Sequence, residues 1–319
     1  MKQEKIKVGV IGVGHMGEYH VQKYKALPTV DLVGIVDVNS ERAKEIAHRY
    51  GTKAFNDHEE LLTRVDGVSL AVPTDSHYQV AKDILTHDVH LLIEKPLTYT
   101  LEPANSLINM AREKDLILQG CLVERFNPAI VKMRSLIDHP IYIEAHRMNP
   151  FTVRGTDVDV VLDLMIHDLD IILNIVPYGI REIHAVGSCM LTGSNDIANA
   201  RIIFENNTVA NVTASRVSDK VCRQIRVFQH SMHITVDYQK RELCLTQKDH
   251  KPDMMCPPQG MCTELFTFPD SDPLADQIAS FVKSMGNGTR PAVGIPDGRK
   301  ALEVSLNIID QIEKSCQHL

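Results

Sequence analysis

Two short segments of this chain carry the residue types that proton and hydride chemistry needs. In Asp163-Leu164-Met165-Ile166-His167-Asp168-Leu169-Asp170, three carboxylates and an imidazole interrupt an apolar stretch, where charge is costly to bury without a purpose. Asp163 and His167 are four apart and share one face of a helix, with Asp170 near that face. A carboxylate beside an imidazole orients it and suits it to exchange a proton with a substrate hydroxyl. Two other readings stay open: His167 as a structural N–H donor, or a metal site, for which one helix lacks further well-spaced ligands. The second segment, Glu94-Lys95-Pro96, closes an apolar run. Pro96 keeps Lys95 out of helical geometry, so its ammonium can be held over a ligand crevice, although a lone strand-end lysine is commonly just solvated.

The framework that would hold these groups begins at Val8-Gly9-Val10-Ile11-Gly12-Val13-Gly14-His15-Met16-Gly17. An apolar strand, a Gly-x-Gly-x-x-Gly turn and a helix follow in the order a dinucleotide site needs. Gly12 allows the tight turn, Gly14 lets the backbone approach a pyrophosphate, and Gly17 lets the helix pack on the strand. The free N–H groups of the first helical turn, at His15 and Met16, face the anion. Asp37 ends the second strand, where an acidic side chain bonds the ribose hydroxyls and repels a 2′-phosphate. NAD is therefore expected over NADP, a preference that nearby Arg42 softens. Pro73, Thr74 and His77 follow the next strand at its carboxyl end, the ligand edge of open α/β sheets. They are expected along the cofactor together with Glu94 and Lys95.

Composition excludes other classes. A net charge of −7 and the absence of Trp argue against a nucleic-acid or membrane-surface role. No apolar run is long enough to span a bilayer. The N-terminal apolar run is broken by glycines and His15 and is followed by no small-residue cleavage site, so a cytoplasmic protein is expected. The seven cysteines show no C-x-x-C spacing. Cys121, Cys189, Cys222 and Cys244 fall in strand-like stretches and are expected to be buried thiols. Cys256 and Cys262 flank a Pro-Gly loop, and a reduced pair is expected there.

Strand and helix patterns alternate through the first 120 residues, which implies a parallel sheet covered on both faces. After about residue 122 the pattern changes. Helices are expected at Asn127–Ile137 and Val158–Val176, and strands at Ile141–Met148 and, in succession, between residues 182 and 246. Glu205-Asn206-Asn207-Thr208 reads as a hairpin turn. Residues 247–271 read as irregular and Pro-rich, and two helices finish the chain. The expected domains are 1–122, binding NAD, and 123–319, an α+β substrate-binding and oligomerisation domain, with the last helix able to pack back on the first domain.

Four signatures stand in order: Gly12-x-Gly14-x-x-Gly17, Glu94-Lys95-Pro96, Glu124-Arg125-Phe126-Asn127-Pro128 and Asp163-x-x-x-His167. With them the chain resembles, over essentially its whole length, the glucose–fructose oxidoreductase/inositol dehydrogenase (Gfo/Idh/MocA) family. The resemblance implies an N-terminal Rossmann domain and a C-terminal α+β domain with a large, mostly antiparallel sheet. It also implies a pyridine-nucleotide dehydrogenase of a sugar or polyol, with Lys95 and His167 as acid/base groups and Asp163 in support. It implies a homodimer or homotetramer built through the C-terminal sheet, and it places Asn127 at the crevice with Arg125 nearby.

Val123–Ala129 and Asp157–Asp163 further resemble UDP-N-acetylglucosamine 3-dehydrogenases, which oxidise the sugar 3-hydroxyl on the way to lipid A or surface polysaccharide. Arg125, Arg147 and Arg154 are then expected to bind a substrate diphosphate, although ordinary surface arginines would fit as well. In the expected mechanism His167 takes the hydroxyl proton, hydride passes to nicotinamide, and Lys95 stabilises the developing alkoxide, with no metal. A free sugar, inositol or other cyclic alcohol is the alternative substrate. A non-catalytic NAD-binding regulator, and a carrier that swaps hydride between two sugars on tightly held cofactor, are the alternative functions.

Overall fold

The computed structural model describes residues 5–152, 156, 158–248, 261–291 and 293–316. The chain divides into two compact units, Met1–Val123 with Leu274–Arg299, and Glu124–Pro273 with Lys300–Leu319.

In the first unit β1 (Ile6–Ile11), α1 (His15–Ala26), β2 (Val30–Val36), α2 (Ser40–Tyr50), β3 (Lys53–Phe55), α3 (His58–Leu62), β4 (Gly67–Leu70), α4 (Thr74–Thr86), β5 (His90–Ile93), α5 (Leu101–Glu113) and β6 (Leu118–Gly120) alternate. The six strands pair in parallel in the order β3-β2-β1-β4-β5-β6. This is the doubly wound dinucleotide-binding order, whose crevice opens at the carboxyl ends of β1 and β4. Val8, Val10, Leu91, Leu92 and Ile93 are buried, as befits strands covered on both faces. Asn39 caps α2 by accepting the Arg42 N–H, and Gly51 closes that helix in the left-handed region.

The second unit opens with a 3₁₀ turn at Val123–Phe126, then α6 (Pro128–Leu136), β7 (Tyr142–Met148) and a π turn at Val161–Met165 that runs into α7 (Ile166–Ile175). After these come β8 (Ile180–Ser188), β9 (Ile197–Phe204), β10 (Val209–Ser215), β11 (Cys222–Gln229), β12 (Met232–Asp237), β13 (Glu242–Lys248) and β14 (Met261–Thr267), before α8 (Pro273–Asn287) and α9 (Ile295–Cys316). The eight strands form one sheet, β14-β13-β12-β11-β7-β10-β9-β8. Every pair is antiparallel except β7 with β10. One sheet face packs on α7 and the later turns of α9 through Ile166, Leu169, Ile308 and Ile312. The β9–β10 hairpin turns at Asn207, whose φ is +66°, as its Asn-Asn pair predicts.

Several expectations are corrected. The segment read as one helix over Val158–Val176 begins as a π turn, with the Ile166 N–H reaching back to the Val161 carbonyl. Residues read as irregular include β14, an edge strand exposed along most of its length, which therefore lacks the alternation of a half-buried strand. Helix α8 belongs to the first unit, because Ile278, Phe281 and Val282 bury among Val8, Val10 and Val21. Cys189 lies just past β8 and is exposed, while Cys222 and Cys244 are half-buried and Cys121 alone of the four is buried. Cys262 is disulfide-bonded, against the expected reduced pair: cysteine spacing hints at a compartment but does not set a local geometry. Cys256 lies outside the described residues. No helix among the described residues is long and apolar enough to cross a membrane.

Candidate active site

The glycine turn has the form of a diphosphate cradle. Gly12 has φ +82°, and a Cβ there would sit 2.5 Å from the Ala71 carbonyl. At Gly17 a Cβ would lie 1.8 Å from the Gly12 oxygen, so α1 can pack this close only without a side chain. Gly14 is the opposite case: it caps α1, and its Cβ would meet nothing within 4 Å. The backbone there faces open space, and no side chain caps the first N–H groups of α1. His15 is exposed and Met16 half-buried at this end. An anion fits this arrangement.

Asp37 braces the same turn. Its Oδ2 accepts the Val13 N–H at 2.7 Å and its Oδ1 accepts the Asn39 N–H at 2.8 Å. A carboxylate has about four acceptor positions, so capacity for ribose hydroxyls remains. Arg42 donates from Nε to the Val13 carbonyl at 3.3 Å, while its Nη1 and Nη2 go to Glu45 and Glu18.

Around the ends of β4 and β5 the structure separates the expected cofactor residues. Pro73 and Thr74 start α4, with Thr74 buried in its first turn. His77 is 1% exposed, and its two ring nitrogens lie 2.9 Å from the Pro96 carbonyl and 3.0 Å from that of Val72. Its two ring nitrogens thus face backbone carbonyls, and it ties the Val72–Pro73 loop to the Lys95–Pro96 turn. Burial holds this imidazole below its ordinary pKa, although hydrogen bonds to both carbonyls favour the charged form.

Glu94 also turns inward. Its carboxylate meets His20 Nε2 at 3.1 Å and accepts the Lys95 N–H at 3.2 Å. Burial pushes its pKa up, but the hydrogen bond and charge of His20, with Lys95, hold it below the ordinary value. Cys121 completes a group with His20 and Glu94 whose potential ligand atoms lie within 4.8 Å of one another. Burial and the Glu94 charge raise the thiol well above its ordinary value, as suits a neutral thiol beside Glu94. Lys95 itself is half-buried.

In the second unit, Asp163 lies in the π turn and His167 in the first turn of α7, both half-buried. Single π turns inside helices are frequent at functional positions. The two acids that follow are different, since Asp168 is 0% and Asp170 3% exposed. Asp168 receives Arg147 Nε at 2.9 Å and Nη2 at 3.2 Å. Arg147 Nη1 reaches Glu124 at 3.0 Å, and the guanidinium lies over the Tyr238 ring. Burial opposes the Arg147 charge, but Asp168 and Glu124 outweigh it and hold its pKa above the ordinary value. Asp170 faces Arg125 Nε at 3.7 Å.

These contacts bear on the residues expected to bind substrate. Arg125 and Arg147 are drawn to buried acids of α7, so their charges are balanced within the unit. Asn127 is 2% exposed. Its Oδ1 accepts the Ala129 N–H, and its Nδ2 donates to the Tyr238 carbonyl and to Glu124, which engages its amide in capping α6. Arg154 and Asp157 lie outside the described residues. The segment from Glu124 to Asn127 thus anchors the helix that carries His167. Its partners are distant in sequence, and only the unusual density of acids after His167 hints at them.

Residues 6–120 match the family model described as "Oxidoreductase family, NAD-binding Rossmann fold". Over 98% of its length the chain is 37% identical to UDP-N-acetylglucosamine 3-dehydrogenase of Acidithiobacillus ferrooxidans, covering 99% of that protein. The solved structure of that enzyme superposes with a TM-score of 0.91 at 36% identity, over 98% of this chain and 99% of that one. Myo-inositol 2-dehydrogenase of Thermotoga maritima is 25% identical over 93% of each chain. The chain therefore belongs to the Gfo/Idh/MocA oxidoreductase family, with its NAD-binding Rossmann fold in the first unit.

Proposed function

We propose that this protein is an NAD-dependent dehydrogenase that oxidises the 3-hydroxyl of UDP-N-acetylglucosamine to a ketone. The observation that carries the substrate is the 37% identity to a UDP-N-acetylglucosamine 3-dehydrogenase across nearly the whole chain. The open space at Gly14, beside the uncapped start of α1, supports a bound dinucleotide diphosphate. NAD is proposed over NADP because Asp37 stands beside the turn and Arg42 is engaged by two glutamates.

When bound, NAD supplies the acceptor for the hydride leaving the sugar carbon. In this reading His167 accepts the hydroxyl proton, and Asp163, four residues earlier, holds the imidazole in the productive tautomer. The Lys95 ammonium stabilises the negative charge that develops on the oxygen before the carbonyl forms. His77 and Glu94 act behind Lys95 by fixing the turn that carries it. The proposal includes a homodimer or homotetramer through the eight-stranded sheet, supported by exposed Val186 within β8 and exposed Met190 and Leu191 just beyond it. Light scattering on the eluting protein tests it, and a monomer would reject it.

A free sugar or cyclic alcohol is the second reading. It is favoured by the engagement of Arg125 and Arg147 with buried acids, which removes two expected diphosphate ligands. Initial rates of NADH formation on UDP-sugars, free sugars and inositols separate the two. UDP-N-acetylglucosamine is expected to be turned over best, and a preference for inositol would reject the substrate assignment.

A further inference from the structure

The charges around the first βα turn bear on which cofactor it accepts. Val13 is held from both of its polar groups: Asp37 accepts its N–H, and Arg42 Nε donates to its carbonyl. Arg42 therefore lies beside the carboxylate assigned to the ribose, where a guanidinium would recognise a 2′-phosphate. That guanidinium is already engaged. Glu18 of α1 takes its Nη2, and Glu45, one turn along α2, takes its Nη1 at 2.9 Å. Arg49 is drawn into the same pair, with one nitrogen to Glu18 and another to Glu45, and Tyr50 Oη donates to Glu18 at 3.3 Å.

The two glutamates are not equivalent. Glu45 is 50% exposed and pairs within its own helix, an arrangement worth little in water. Glu18 reaches across from α1, is 21% exposed and gathers Arg42, Arg49 and Tyr50. Burial pushes its carboxyl pKa up, but the hydrogen bonds and charges of Arg42 and Arg49 hold it below the ordinary value, so it is ionised at neutral pH.

We propose that Glu18 is a cofactor-specificity determinant, holding Arg42 away from a 2′-phosphate and adding to the negative charge with which Asp37 repels one. The inference rests on the assignment of Asp37 to the adenosine ribose. Around this turn Glu18, Glu45 and Asp37 outnumber Arg42 and Arg49, which leaves a net negative edge. Removing the Glu18 charge cancels that excess and leaves Arg42 with a solvent-screened partner on its own helix.

The test is fluorescence titration of NADH and NADPH onto the whole protein, which has no Trp to interfere. Wild type is expected to bind NADH more tightly. Glu18→Gln is expected to tighten NADPH by about fivefold while NADH changes by less than about twofold, the scale of one partly exposed charge contact. Adding Arg42→Ala is expected to abolish the gain. An unchanged NADPH-to-NADH ratio in Glu18→Gln, or a gain that survives Arg42→Ala, overturns the proposal. Wild type that binds both equally, or prefers NADPH, overturns the NAD reading itself. Should Glu18→Gln fail to fold, Arg42→Ala alone decides: unchanged NADPH binding supports a held Arg42, and weakened binding overturns it.

Discussion

Arg147 grips Asp168 through two hydrogen bonds, 2.9 and 3.2 Å long, immediately beside His167 in sequence. Both side chains are almost wholly buried, so the pair fixes the start of α7 and with it the backbone that carries the imidazole. Removing one partner of such a pair leaves a buried charge uncompensated, whereas removing both charges costs far less. Arg147→Met is therefore expected to destabilise the protein by about 3–5 kcal/mol. Adding Asp168→Asn should restore part of that loss, and urea unfolding of the three proteins reads both effects. Equal stability of Arg147→Met and wild type would show that the pair anchors nothing.

The glycine turn allows a separation of binding from folding. Gly14 has φ −62° and open space where its Cβ would be. A side chain there fits the fold and obstructs only what lies in the cradle. Gly14→Val is expected to keep the wild-type melting temperature while weakening NADH at least about tenfold, or about 1.4 kcal/mol. Gly17→Ala meets the Gly12 oxygen and is expected to lower the melting temperature as well. Undiminished NADH affinity in Gly14→Val would remove the diphosphate from this turn.

Stability should fall on the acid side in two stages. Burial lowers the pKa of His77 and of His90, so the unfolded chain takes up their protons first. Their contribution is present above the unfolded value of about 6.5 and is lost as pH drops through and below it. Glu94 and Asp196 are also held below their ordinary values. For Glu94, burial works against the His20 and Lys95 interactions that prevail. For Asp196, burial works against hydrogen bonds from Leu191, Thr192 and Met190 that prevail. These carboxylates contribute above about pH 4–5 and lose that contribution at lower pH. The melting temperature is expected to decline from pH 7.5 to 5.5, and less steeply in His77→Phe. A flat profile, or an equal slope in the variant, contradicts the assignment to His77.

What the sequence made legible was local. The Gly12–Gly17 turn, Asp37 and the Glu94–Pro96 turn each declare themselves within a few residues, because strand, turn and helix must follow in that order to present a phosphate site. Successive strand-like stretches with few helix signals announced the large sheet, and β14 escaped because most of its residues are exposed. The anchoring of α7 was hidden for another reason. Arg147 and Asp168 are brought together by the packing of α7 on the sheet, and nothing in their spacing distinguishes them from substrate-binding or surface charges. In sequence, a histidine at a helix start on the ligand edge looks the same whether it faces a cofactor or, as His77 does, two backbone carbonyls.

The most direct measurement is the initial rate of NADH formation with NAD and UDP-N-acetylglucosamine, for wild type, His167→Asn and Lys95→Met. Wild type is expected to turn over, and each variant to lose at least about 100-fold in kcat, with NADH binding by titration largely retained. Near-normal turnover in either variant, or no turnover of this substrate by wild type alongside activity on a free sugar, would contradict the proposed function.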